Sequence, residues 1–131
     1  MNSKIETFTP ANTMTPIGPY SHIAKVGHLI TIGGTAGVDP ETGELAGPDV
    51  ASQTTQILDA FETMLGSVGS DLNHVIHINI FLANMEDFAS MNAAYEEKMG
   101  DHRPARTAIG VTGLPKRGAL LTMNLTAVTN T

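Results

Sequence analysis

Val75-Ile76-His77-Ile78-Asn79-Ile80-Phe81-Leu82 reads as a β-strand, and the rest of the fold can be read outward from it. Ile76, Ile78, Ile80 and Leu82 alternate with Val75, His77, Asn79 and Phe81, so the two sets point to opposite faces. A helical pattern lies on each side. Before the strand, Ile57, Phe61, Met64, Leu65 and Val68 form one apolar stripe behind an Asp49 N-cap, and Gly66 and Gly69 let the helix end. After it, Asn84 and Asp87 have the spacing of a capping box, and Phe88, Met91 and Tyr95 form the inward face of a second helix that stops at Gly100.

Further out, Leu29-Ile30-Thr31-Ile32 is a β-branched run that predicts a strand paired with the segment around Ile23. The chain up to Pro19 is punctuated by Pro10, Pro16 and Gly18 and reads as loop, and Asp39-Pro40-Glu41-Thr42-Gly43-Glu44 marks a turn. Two last strands are expected at about residues 105–111 and 120–128, joined by a loop containing Gly113, Pro115 and Gly118. The order predicts a single α+β domain over residues 1–131, with both helices covering one face of one sheet. The other face carries Val75 and Phe81, which is too apolar for water, and self-association is the simplest cover.

Composition bounds the function. With 131 residues, 41% hydrophobic and 15% charged, the chain has the make-up of one compact domain. The absence of Cys excludes disulfides, thiolate zinc sites and a cysteine nucleophile. A net charge of −6 disfavours a nucleic-acid partner, no apolar run approaches the length of a membrane span, and the polar N-terminus lacks a secretion signal, so a cytoplasmic location is expected. His74 and His77 fall on opposite faces if both lie on the strand, and His22, His28 and His102 are isolated, so no metal site is expected. Dinucleotide and Walker glycine loops are missing, the serines lack an elbow motif, and Glu86-Asp87 and Glu96-Glu97 read as solvated helix charges.

Five of the seven cations, Lys98, Arg103, Arg106, Lys116 and Arg117, fall within twenty residues, either as a solvated patch or as a local anion site. Arg106 shares a strand face with Ala108 and Gly110, which leaves a concavity under its guanidinium. Such a space suits a small carboxylate held by two parallel hydrogen bonds, and the alternative is an ion pair with a neighbouring Glu.

Ile17-Gly18-Pro19-Tyr20-Ser21, Asp39-Pro40-Glu41-Thr42-Gly43-Glu44, Met91-Asn92-Ala93-Ala94-Tyr95, and Arg103-Pro104-Ala105-Arg106-Thr107 with Leu114-Pro115-Lys116 together resemble the RidA (YjgF) family, enamine/imine deaminases of which some carry the label L-PSP endoribonuclease. The resemblance runs from about Thr15 to Val128 with the motifs in family order. It implies a chorismate-mutase-like fold with a single mixed sheet and a homotrimer (a trimeric barrel) with a ligand pocket in each subunit cleft. By resemblance Arg106 binds the substrate carboxylate, and Tyr20 and Asn92 are pocket residues. Three positions depart from the family: Gly33 stands where Ser is frequent, Ala108 where Cys is frequent, and Asn124 where a water-orienting Glu lies on the last strand. The loop before that strand is two residues longer here, so the last match depends on where the gap is placed.

The resemblance implies hydrolysis of a 2-aminoacrylate-type enamine or imine to a 2-keto acid and ammonia without cofactor or metal, a 2-iminobutanoate/2-iminopropanoate-type deaminase. Arg106 and Asn124 are then the catalytic residues, with Tyr20, Gly33, Asn92 and Ala108 lining the pocket. The rival reading is a trimeric carboxylate-binding or regulatory protein with little turnover. A ribonuclease is disfavoured by the net charge, the two Tyr and the absence of Trp.

Overall fold

The computed structural model describes residues 4–131. Its six strands are β1 (Glu6–Phe8), β2 (Ile23–Val26), β3 (Leu29–Ala36), β4 (Val75–Leu82), β5 (Ala105–Gly110) and β6 (Leu121–Val128), and its helices are α1 (Val50–Ser67) and α2 (Phe88–Met99). They form one mixed sheet in the order β1-β2-β3-β6-β4-β5, in which only β4 and β5 run parallel. A parallel neighbour needs a crossover, and α2 supplies it. The α+β expectation of one sheet with two helices is met.

The signals for α1 and for the end of α2 act as read, whereas the capping box does not form: Asn84 accepts from the Glu86 N–H at 2.9 Å and caps a 3-10 turn, and Asp87, the residue before α2, makes no side-chain cap bond. Asp49 caps α1 by accepting from the Ser52 N–H at 3.0 Å, and Gly100 ends α2 at φ +64°. Ile57, Phe61, Met64 and Leu65 of α1 are fully buried against Ile78, Ile80 and Leu82 of β4, together with Met91 of α2 and Leu121, Met123 and Leu125 of β6. Lys98 of α2 bridges to Asp59 and Glu62 of α1 at 2.9 and 3.0 Å, which ties the two helices together at their solvent edge.

Three expectations need correcting. The segment before Pro19 is not all loop, because Glu6–Phe8 adds a short edge strand to β2. Val75 does not belong to the open face: β4 pairs Val75 with Ala127 but His77 with the adjacent Thr126. The extra residue is a bulge that inverts the alternation, so Val75 is buried in the core and Ile76 is 47% exposed. His74 precedes the strand in a 3-10 turn and bonds Asp71 at 2.7 Å. The helix-free face therefore carries His77, Asn79 and Phe81 of β4, Thr107 and Ile109 of β5, and Thr122, Asn124 and Thr126 of β6, a more polar surface than the sequence suggested.

Candidate functional site

Arg106 lies opposite Ile78 in the parallel β4–β5 pair, so its side chain leaves the sheet on the helix side. Ala108 and Gly110 share that side, opposite Ile80 and Leu82. Here α2 presents Phe88, Asn92 and Tyr95, spaced i, i+4, i+7 along one helix face. The guanidinium carbon sits 4.9 Å from the centre of the Tyr95 ring and 5.8 Å from that of Phe88. Aromatic faces hold a cation without consuming its N–H donors. Among the described residues Arg106 makes no ion pair, whereas Arg103 spends its charge on Glu96 at 3.4 Å. The alternative of an Arg106–Glu pair is thus absent, and its fork is open to a ligand.

The surroundings of Arg106 are short of partners as well. Among the described residues, three buried side-chain polar atoms lack a hydrogen-bond partner, and two of them, Asn92 Oδ1 and Tyr95 OH, belong to residues that line the cleft of about 400 Å3 beside Arg106. Both atoms are themselves shut off from solvent, so it is the unpaired guanidinium, and not these two groups, that the cleft offers to a polar ligand. Burial pushes the Tyr95 phenol above its usual pKa, with the charges of Arg106 and Arg103 pulling the other way.

Tyr20 and Gly33 line a different cavity, of about 570 Å3, together with Lys116 and Thr122. A second bulge builds its floor. Ile32 pairs with Leu125 and Thr35 with Met123, so Gly33-Gly34 fits three steps of β3 against two of β6 and turns both glycines outward. The Gly33 N–H donates to the His22 carbonyl at 3.0 Å, and buried His22 in turn bonds the Met14 carbonyl through Nε2, which fixes the loop that walls the cavity. The far wall is held by fully buried Gln53 of α1, whose Nε2 donates to the carbonyls of Gly47 and Gly118 and whose Oε1 accepts from the Leu120 N–H at 2.8 Å.

Asn124 lines neither cavity. It lies on the helix-free face and its Oδ1 accepts from Asn79 Nδ2 at 2.8 Å. The residue of β6 that reaches the Tyr20–Gly33 cavity is Thr122, two positions earlier and on the same face. Thr122 is not singled out in the sequence, Lys116 stands there only within a motif, and Tyr95 is read only as a motif residue and part of the inward helix face.

Arg106 and Asn92 therefore occupy one cleft, and Tyr20 and Gly33 another. Gly33 is on β3 and Arg106 on β5, three strand spacings apart or about 14 Å, with β6 and β4 between them. One chain by itself does not bring the two groups together.

The family described as Endoribonuclease L-PSP matches residues 10–129. The chain belongs to this RidA/YjgF family. A RutC family protein of Pyrococcus horikoshii is 41% identical over 111 residues, covering 85% of this chain and 88% of that one. The mouse protein named 2-iminobutanoate/2-iminopropanoate deaminase is 36% identical over 112 residues, covering 86% of this chain and 82% of that one. Among solved structures, the YjgF gene product of E. coli superposes with a TM-score of 0.88 at 31% identity, covering 94% of this chain and 98% of that one. In this RidA/YjgF chain Gly33 lines the larger cavity, whereas Ala108 shares the helix-side strand face with Arg106 but lines neither cavity. No helix among the described residues is long and apolar enough to cross a membrane.

Proposed function

We propose that the protein hydrolyses small 2-imino acids, or their enamine tautomers, to 2-keto acids and ammonia. The observation that carries this reading is Arg106, a guanidinium stacked on Tyr95 and Phe88 with no carboxylate partner among the described residues. The deaminase name of the mouse relative supports the same reaction. Arg106 takes the substrate carboxylate through two parallel N–H···O bonds, and its charge favours attack at the adjacent carbon. Water adds across C=N: the oxygen bonds to carbon, and nitrogen gains a proton to give a carbinolamine. The C–N bond then breaks, ammonia leaves, and the hydroxyl loses its proton to become the keto oxygen. Positioning carries most of the effect, because a protonated imine is already electrophilic.

The site is completed between copies of the chain, the Arg106–Asn92 cleft of one facing the Tyr20–Gly33 cavity of another. Separation of the two clusters across the sheet supports this, as does the uncovered face carrying Phe81 and Ile109. A homotrimer, in the cytoplasm, is the assembly we assign.

One observation favours the second reading, a carboxylate binder with little turnover: no Asp or Glu lines either the Tyr20–Gly33 cavity or, apart from ion-paired Glu96, the Arg106 cleft, so a side-chain base is not at hand. Ammonia release from 2-aminoacrylate generated in situ decides between them. Acceleration over the uncatalysed rate supports the deaminase, and tight binding of 2-ketobutyrate without acceleration supports the binder.

A further inference from the structure

Met85 is 48% exposed, whereas Met64, Met91 and Met123 are fully buried, Met99 is nearly so and Met14 is half-buried. Among the described residues it is the one exposed thioether. Met85 opens the 3-10 turn that runs directly into α2, and its side chain folds over Gly110 of β5. A Cβ added at Gly110 would lie 3.0 Å from Met85 Cγ and 3.4 Å from its Sδ, so the thioether occupies the space that a side chain on β5 would take. The Met85 carbonyl accepts from the Phe88 N–H, and the Phe88 ring stands 5.8 Å from the Arg106 guanidinium carbon. An oxidisable sulfur thus seats the turn that aims one of two aromatic rings at Arg106.

We infer that Met85 is a site of reversible oxidation by hydroperoxides, and that its sulfoxide loosens the hold of Phe88 on Arg106 and weakens carboxylate binding. In the reaction with hydrogen peroxide the sulfur bonds to one peroxide oxygen, the O–O bond breaks, and the other oxygen leaves as water. Sulfur gives up two electrons and the peroxide takes them. The product is polar and one oxygen larger, so the side chain no longer lies flat on Gly110 and turns toward water. Where amino acids are oxidised to 2-imino acids by dioxygen, hydrogen peroxide is formed with them, so substrate and oxidant arise together. The effect at Arg106 rests on the carboxylate-binding part of the deaminase reading, whereas oxidation at Met85 does not. Tyr95 keeps its place 4.9 Å from the guanidinium, so the loss is partial. One cation–π contact at a partly exposed site corresponds to roughly two- to fivefold in binding.

The test exposes the native chain to hydrogen peroxide, maps each methionine by peptide mass spectrometry, and titrates 2-ketobutyrate calorimetrically. Met85 should convert at least tenfold faster than any other methionine from Met14 onward. Kd should rise roughly two- to fivefold, and methionine sulfoxide reductases should restore it. Met85→Leu keeps the apolar bulk, so it should bind as the parent does and lose the response to peroxide. Met85→Gln is polar without any oxidant, and in the folded variant, checked by circular dichroism, binding should weaken to the same extent. Conversion of Met85 no faster than that of the buried methionines overturns the site. A Kd unmoved by oxidation, or moved equally in Met85→Leu, overturns the coupling to Arg106. Should the reduced chain not bind 2-ketobutyrate at all, the carboxylate reading fails, and the coupling is read from the NMR signal of the Arg106 Nε–H. A shift on oxidation in the parent and none in Met85→Leu supports it, and an unmoved signal overturns it.

Discussion

The Arg106 guanidinium rests 4.9 Å from the centre of the Tyr95 ring, and the hydroxyl of that same ring is buried without a hydrogen-bond partner among the described residues. Tyr95 thus holds the cation in place through its face and leaves every guanidinium donor open. An acidic partner would have held Arg106 equally well and blocked it. Replacing Arg106 by Lys keeps the charge and loses the planar fork, so Kd for 2-ketobutyrate should rise ten- to a hundredfold, the roughly 1.5–3 kcal/mol of a hydrogen bond to a charged group. Calorimetric titration of Arg106→Lys and Arg106→Ala checks this, and unchanged binding in the Ala variant would place the carboxylate elsewhere.

Ring and hydroxyl of Tyr95 separate cleanly. Tyr95→Leu removes the aromatic face, and at about 2 kcal/mol for a desolvated cation–π contact the carboxylate should bind about thirtyfold more weakly. Tyr95→Phe keeps the face and should bind as the parent does, with a melting temperature no lower. Because burial raises the phenol pKa, the folded chain holds that proton more tightly than the unfolded chain. Stability from this source is complete below the ordinary phenol value of about 10 and is lost as the pH rises beyond it. Thermal melts from about pH 8 to about pH 11 should therefore show a shallower alkaline decline in Tyr95→Phe.

Thr122 lines the larger cavity and Asn124 does not. A carboxylate introduced by Thr122→Glu should accelerate 2-aminoacrylate hydrolysis, up to about a hundredfold for a well-placed acid–base group. Asn124→Glu keeps an acceptor for Asn79 and should change turnover less than twofold. The opposite order in ammonia-release assays would return the water-orienting position to Asn124.

Gln53 stitches the loop bearing Pro115 and Lys116 to α1. Gln53→Met fills a similar volume but leaves the Leu120 N–H buried and unpaired, at roughly 1–3 kcal/mol. At about 4 °C per kcal/mol for a chain of this size, the melting temperature should fall by about 4–12 °C in differential scanning calorimetry. Binding at the larger cavity should weaken with it.

Assembly is tested by sedimentation velocity. A trimer at micromolar concentration is the expected species, and Ile109→Lys on the helix-free face should dissociate it and abolish turnover. A monomer that still turns over 2-aminoacrylate would sink the shared site.

The sequence by itself determined the parts whose physics is local. Alternation in Ile78–Leu82, the helical stripe from Ile57 to Leu65, the Asp49 cap and the Gly100 stop depend on neighbours a few residues away, and each stands in the fold as read. The motifs between Ile17 and Lys116, taken together, also sufficed for the family, because short runs in a fixed order need no coordinates. Tertiary structure decided the rest. Bulges at Ile76 and at Gly33-Gly34 are set by pairing with β6, a partner 45 or more residues away in sequence, so no local pattern announced that Val75 would turn inward or that the glycines would open a cavity floor. Likewise, only the α2 crossover brings Tyr95 and Phe88 under Arg106, and only the registered sheet puts Thr122 in the cavity while Asn124 bonds Asn79. Which groups are left unpaired depends on which neighbours long-range packing supplies, and that is why the candidate site became visible only once the chain was folded.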